Sequence, residues 1–370
     1  MKHTFFIVTL LGFFLFFTAP GCAQITQEQL QEIQTNAEKG DAQAQFNLAI
    51  CYKTGLGVEQ NLAKAIELYT QSAEQGFANA QYNLAVCYQN GDGVKQDLAK
   101  AIELYTQSAE QDYADAQFNL AVCYHNGVGV EKDMEKALSW YTKSAEQGYG
   151  KAQHNLALCY QNGDGVEQNI TKAVAWYTKA AQQGFAESQQ SLAECYRQGI
   201  GVPQNITMAL VWYNMAAKSG FAQSQYNLAV CYHYGIGVVK DMTKAVELYT
   251  LAADQGVLEA LQNLAWCYYY GEGVKKDLKK VAELYTQAAM QGDPESQCFI
   301  GECYENGEGV PIDLTKAIEW YLKAAEQDYF DAQQKLAECY ESGKGVKMDH
   351  EKAQYWRKKA EENKKNNVDN

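Results

Sequence analysis

Apolar residues recur along this chain at spacings of three and four, in short blocks separated by glycine-bearing polar turns. In the first block Ala44, Leu48, Cys51 and Tyr52 fall on one side of a helix. Gly55-Leu56-Gly57-Val58 ends that helix, because glycine adopts the positive φ found at helix C-termini. Asn61 opens a second block with Ala65, Leu68, Tyr69, Ser72 and Ala73 at helical spacing. Its equivalents are Asp97, Asp133, Asn169, Asn205, Asp241, Asp277, Asp313 and Asp349. Asn and Asp cap a helix N-terminus through a side-chain oxygen. The pattern predicts a unit of helix, glycine turn, capped helix, glycine turn.

The unit repeats. Cys51, Cys87, Cys123, Cys159, Cys195, Cys231, Cys267, Cys303 and Cys339 stand 36 residues apart without insertion or deletion. A fixed period of this size predicts an all-α solenoid in which each unit buries its apolar face against its neighbours. Nine units fill residues 42–365, and residues 366–370 form a polar tail. Leu30, Ile33 and Ala37 predict a capping helix within 24–41. Alanines at 49, 65 and 73 allow close helix approach. Trp140, Trp176, Trp212, Trp320 and Trp356 stand in phase with Leu68 and are expected in the core.

The first residues depart from this pattern. Lys2 and His3 precede an apolar run from Phe5 to Phe17, then a small-residue exit ending at Ala23. This reads as an export signal over 1–23. Cleavage before Cys22 instead gives a lipoprotein signal over 1–21 and a lipidated Cys22. The destinations are then secretion, the periplasm or an outer-membrane anchor. The membrane is met only through the signal or that anchor. The net charge of −14 disfavours nucleic acid, which rewards clustered Lys and Arg. Thiols one per repeat lie too far apart for a disulfide ladder, since bridged Cα atoms stand roughly 4.4–6.8 Å apart. They are expected as buried free thiols.

Two strings then carry a resemblance. Ala116–Val130 reads A-x-x-x-L-A-x-x-Y-x-x-G-x-G-V, and Lys172–Gly184 reads K-A-x-x-x-Y-x-x-A-A-x-x-G. With the Asn/Asp between them, they resemble the Sel-one-like repeat, a relative of the tetratricopeptide repeat, over residues 42 to about 362. The resemblance implies a right-handed α-solenoid that serves as a protein-interaction scaffold. Members act in signalling, in membrane-protein quality control and in bacteria that live with eukaryotic hosts. A cysteine-rich subgroup, credited with penicillin binding and β-lactamase activity, bridges two cysteines per repeat. This chain carries one per repeat, so that activity is not carried over.

No catalytic constellation accompanies the repeats. G-x-S-x-G, H-E-x-x-H, a P-loop and S-x-x-K are all missing from the sequence. His125, His154 and His233 lack partners at metal spacing, and no cofactor is expected. Asn169-Ile170-Thr171 and Asn205-Ile206-Thr207 match glycosylation sequons, but both asparagines stand at capping positions.

Binding specificity is therefore expected on the side of the first helices away from the Ala44–Cys51 stripe. Phe46, Tyr82, Phe118, His154 and Tyr226 form an aromatic column there, with Trp266 one turn further on. Asn47, Asn83, Asn119, Asn155, Asn227 and Asn263 run beside it. Exposed aromatics with amides suit an extended peptide or another protein, bound on the concave face. An alternative for the asparagines is hydrogen bonding within the stack. Units one to four plus Trp266 are expected to dock the partner. Glu194, Glu302 and Glu338 make units five, eight and nine acidic. The first reading is a non-enzymatic scaffold exported to the envelope or beyond. A host-interaction effector using the same groove is one alternative. An envelope enzyme of β-lactamase-like or cell-wall-acting type is the other.

Overall fold

The computed structural model describes residues 25–366, with side chains to 364. The chain forms two compact units, with the boundary between Ala180 and Ala181. The first unit holds α1 (Gln27–Glu38), α2 (Ala42–Thr54), α3 (Leu62–Glu74), α4 (Ala78–Asn90), α5 (Leu98–Glu110), α6 (Ala114–Asn126), α7 (Met134–Glu146) and α8 (Gly150–Asn162). The boundary falls inside α9 (Ile170–Gln182). The second unit holds α10 (Ala186–Gln198), α11 (Ile206–Lys218), α12 (Ala222–Tyr234), α13 (Met242–Asp254) and α14 (Leu258–Tyr270). It continues through α15 (Leu278–Met290), α16 (Pro294–Asn306), α17 (Leu314–Glu326), α18 (Phe330–Ser342) and α19 (His350–Asn366). There is no strand among the described residues. Even-numbered helices open each repeat and odd-numbered helices close it.

The helix boundaries follow from local chemistry. Each Asn or Asp from Asn61 to Asp349 accepts from the backbone N–H three residues on, as Asn61 does from Lys64 at 3.0 Å and Asn169 from Lys172 at 2.9 Å. Such a cap contributes about 1 kcal/mol. At the other end Gly55 sits at φ 77° and donates to the Cys51 carbonyl. The second glycine of each turn has a different role. A Cβ at Gly309, itself at φ 75°, would lie 2.0 Å from the Leu278 carbonyl oxygen. That turn lies against the N-terminus of the preceding repeat's closing helix, which leaves no room for a side chain.

Alanines set the helix spacing. Ala49, Ala65, Ala85 and Ala101 are buried to within 2%. At the N-terminal end α1 packs on the first repeat. Thr26 and Gln29 close a capping box, and Leu30 and Ile33 pack with Ala37 against Ala44, Leu48 and Cys51. Ten cysteines from Cys51 to Cys339 are free and buried, and burial raises the thiol pKa, to about 11 at Cys123. Residues 1–24, with the export signal and Cys22, lie outside the described residues, as do residues 367–370 of the tail.

The tryptophan column differs from expectation. Trp140, Trp176, Trp212 and Trp320 are half-buried, and only Trp356 is buried. One reason is visible in the stack. Lys143, Lys179 and Lys323 place their ammonium groups 4.0, 3.9 and 4.0 Å from the Trp140, Trp176 and Trp320 rings. The indoles pack one side on the core and receive a cation on the other. The lysine of the K-A pair does the same across seven of the nine turns, as Lys100 does over Tyr88 at 4.7 Å.

Candidate peptide-binding face

The opening helices carry the expected site residues, and they are covered more fully than their spacing implies. In α2 Ala44, Gln45, Phe46, Leu48, Ala49 and Cys51 are all buried. A helix with buried positions most of the way round has several packed neighbours. Here those are its own closing helix, the α1 cap and the following repeat. What stays accessible is a narrow strip.

Phe46 lies outside that strip, which corrects the expectation of an exposed ring. It is 2% exposed, packed 5.9 Å from the Tyr69 ring and 5.4 Å from the Phe77 ring. Tyr82 meets Tyr105 and Tyr113 in the same way, and Phe118 meets Tyr141 and Tyr149. His154 packs on Tyr177, and Tyr226 on Tyr249. Tyr82, Phe118, His154 and Tyr226 keep partial exposure. The column is thus first an inter-repeat contact. Phe77, Tyr113 and Tyr149 stand at helix N-cap positions without a side-chain cap, because their rings fill this contact.

The asparagines bond largely within the stack. Asn119 donates to the Tyr105 hydroxyl at 3.3 Å and the Tyr82 hydroxyl at 3.4 Å. Asn155 donates to Tyr141, Asn227 to Glu194 and Asn263 to Tyr226. Asn83 donates to the Asn79 carbonyl, and Asn47 accepts from Gln43. All six stay half-buried at the edge of the strip.

Two further hydrogen-bonded ladders run through the stack, and the sequence reading places only the tyrosines of the first there. The first is a column of buried tyrosines from Tyr69 to Tyr321, broken only by the half-buried Tyr285. Tyr105 donates to Gln89 at 2.6 Å, Tyr177 to Gln161 at 2.7 Å and Tyr321 to Glu305 at 2.5 Å. Tyr213 donates to Glu194, which also holds Arg197 at 2.7 Å. The second is a buried glutamine column. Gln81 donates to the Ala73 carbonyl at 3.3 Å and accepts from Gln111 at 2.7 Å. The pattern continues through Gln117, Gln153, Gln225, Gln297 and Gln333. Glutamine recurring at one register in every repeat but the seventh, where Leu261 stands, was the available signal, since its preceding neighbour is always alanine or serine.

Repeats six to nine break the pattern. Tyr234 and Tyr270 replace the small polar residues found elsewhere at the end of the opening helix, and are 65% and 59% exposed. Trp266 lies 4.8 Å from Tyr270 and 5.4 Å from His233. In repeat eight Cys298 takes the place of the ring at Phe46. A recess of about 290 Å³ opens there, between α16 and α18. Its lining includes Phe299, Glu302, Lys335 and Glu338. Among the described residues no group of three or more His, Cys, Asp or Glu is placed to hold a metal.

Helical hairpins of constant length, glycine-locked turns and a half-open strip on the opening helices define an all-α repeat solenoid. The chain belongs to the Sel1 repeat family, whose model matches residues 42–77, 78–113, 114–149, 150–185, 186–221, 222–257, 258–293, 294–329 and 330–364. Arrays of this family are protein-interaction scaffolds. The chain is similar to c5321, a protective antigen present in uropathogenic Escherichia coli strains that displays an SLR fold. That likeness has 34% identity and a TM-score of 0.74, over 90% of this chain and 79% of c5321. It is also similar to a Sel1 repeat protein from Oxalobacter formigenes, at 33% identity and a TM-score of 0.65, over 84% of this chain and 89% of the other. No curated protein matches it.

Proposed function

We propose that this chain is a non-enzymatic scaffold, exported to the cell envelope or outside, that binds another protein or an extended peptide along its opening helices. The observation that carries this reading is the strip itself. The stacking stripe of each opening helix is buried, while Tyr82, Asn83, Phe118, Asn119, His154, Asn155, Tyr226, Asn227, Asn263 and Trp266 are among the positions that keep partial exposure, as does Asn47. Half-buried aromatics with neighbouring amides offer apolar grip and backbone hydrogen bonding to an incoming chain. Phe46 is withdrawn from this set because it is covered. Export rests on the signal-like residues 1–23, or 1–21 with lipidation at Cys22. Likeness to a protective antigen favours a second destination, contact with a host, through the same strip.

The test is affinity capture with residues 24–370 immobilised. A specific partner should be lost with Tyr82→Ala/Phe118→Ala while circular dichroism stays unchanged. Capture that survives this pair would sink the placement. Globomycin treatment with fractionation separates the lipidated from the freely exported form. Measurable nitrocefin hydrolysis by the purified chain would refute the non-enzymatic reading.

A further inference from the structure

The aromatic side chains of repeats six to eight form an unbroken path. Tyr234 stacks on His233 with centroids 4.3 Å apart, and His233 lies 5.4 Å from Trp266. Trp266 meets Tyr270 at 4.8 Å, Tyr270 meets Tyr269 at 5.0 Å, and Tyr269 meets Phe299 at 6.3 Å. The path begins on α12, crosses α14 and ends on α16. Phe299 is also a wall of the recess between α16 and α18.

That recess exists because of one substitution in the repeat. At the equivalent position Phe46, Tyr82 and Phe118 fill the space against the next N-cap ring. Cys298 is too small to do so beside Tyr329, and a hollow remains. Glu295, Glu302, Asp331 and Glu338 surround it, against one cation, Lys335. Lys335 pairs with Glu302 at 3.0 Å and so offsets a single carboxylate. The recess keeps a negative surplus. The electrostatics bear on Cys298 too, whose thiol is pushed to about 12 by burial, Glu302 and Asp331. The volume of about 290 Å³ lies at the bottom of the roughly 300–1,000 Å³ range of pockets that enclose a whole small molecule. It suits one long side chain.

We propose that α12, α14, α16 and α18 bind a basic, extended peptide segment, with one arginine or lysine seated in the Glu302–Glu338 recess and further cationic side chains stacked on Tyr270 and Tyr234. The proposal rests on the scaffold reading and names the chemistry of its partner. Charge complementarity selects the occupant. Exposed aromatic faces attract guanidinium and ammonium groups, and tyrosine already does so in this chain, where Lys276 lies 4.9 Å over Tyr269. Carboxylates at the end of the path add the counter-charge, and the net charge of −14 steers cations towards the chain. Length agrees as well. The four successive opening helices, about 8–10 Å apart, span roughly 24–30 Å, or about eight residues of extended peptide.

The experiment measures fluorescence anisotropy of labelled eight-residue peptides alternating glycine with arginine, lysine or glutamate, against the chain 24–370. The arginine peptide should bind best, the lysine peptide more weakly and the glutamate peptide not at all. Tyr234→Ala/Tyr270→Ala should lower the arginine affinity at least tenfold. Both rings are exposed, so the fold should survive, as circular dichroism would check. Glu302→Gln/Glu338→Gln should lower it at least tenfold and flatten its salt dependence. Equal binding of the glutamate peptide, unchanged affinity in both double variants, or self-association of the chain through these tyrosines would overturn the proposal. If the basic peptide fails but affinity capture still finds a partner dependent on Tyr82 and Phe118, this inference falls and the scaffold reading stands. If capture finds no partner at all, the scaffold reading falls.

Discussion

Removing one hydroxyl should have opposite consequences at two equivalent tyrosines. Tyr69 and Tyr105 occupy the same register, and both are fully buried. The Tyr105 hydroxyl donates to Gln89 at 2.6 Å and accepts from Asn119 at 3.3 Å. The Tyr69 hydroxyl finds no hydrogen-bond partner in the chain. Lys53 stands where Gln89 stands one repeat later, and Asn83 spends its amide on the Asn79 carbonyl. Tyr105→Phe removes the donor to Gln89 and leaves Asn119 only its longer bond to Tyr82, and should cost about 1 kcal/mol. Tyr69→Phe removes a polar atom whose desolvation is uncompensated, so it should be neutral or stabilise by about 1 kcal/mol. Ring packing is unchanged in both, which isolates the hydroxyl. Urea unfolding followed by far-ultraviolet circular dichroism should separate the two midpoints by roughly half a molar or more, for a slope of about 1–3 kcal/mol/M. Hydrogen exchange should locate the loss in α5 and spare α3. Lys53→Gln supplies the missing partner. In that background Tyr69→Phe should become costly by about 1 kcal/mol. Equal destabilisation by Tyr69→Phe and Tyr105→Phe in the parent chain would refute the reasoning.

Other consequences are as direct. Gly309→Ala forces a Cβ to 2.0 Å from the Leu278 carbonyl and should destabilise by more than about 3 kcal/mol, whereas Gly40→Ala meets nothing within 4 Å and should cost only about 1 kcal/mol for its positive φ; thermal melts compare them. Burial raises the thiol pKa values, so Ellman's reagent at pH 8 should label the ten described cysteines far more slowly in the native chain than in guanidinium, and fast native labelling would contradict their burial. Burial raises the Glu305 pKa, but the Lys344 ammonium and Tyr321 hydroxyl outweigh it and hold it below 4.5. A depressed carboxylate stabilises the fold above its unfolded value and loses that contribution as pH falls. Glu305→Gln should therefore flatten the stability loss below about pH 4.5, read from urea midpoints across pH; an unchanged slope would count against the Lys344–Glu305–Tyr321 network.

The helix register was legible because its signals are local. Asn61 and its equivalents mark helix starts by a side-chain hydrogen bond, and Gly55 marks an end by its φ. Face assignment needs neighbours that a single helix does not encode. Periodicity placed Phe46 opposite Cys51, and both are buried, because the opening helix is enclosed by successive repeats as well as by its own partner. Gln81 falls on neither face of that reading, and its amide is buried between two partners. The tryptophans read as core, yet lysine ammonium groups share their faces. A trace of the aromatic contact was present as co-occurrence. Phe46 with Phe77, Tyr82 with Tyr113 and Phe118 with Tyr149 are paired rings, while Gln262 is paired with Asp293 and hydrogen-bonded to it at 3.0 Å. The recess at Cys298 is a missing volume, and a missing volume has no sequence motif.

The closing helices α3 and α5 share one sequence, LAKAIELYTQSAE, residue for residue. Side-chain recognition alone therefore cannot tell α2 which of them to accept. Connection length decides. Residues 55–61 link α2 to α3, and seven residues reach at most about 25 Å. Only the adjacent berth lies within that tether. Spatial order in this array is thus enforced by the brevity of its links, much as beads of one colour keep their sequence on a short string. A flexible insertion between Gly55 and Asn61 would lengthen that tether and weaken the preference of α2 for α3.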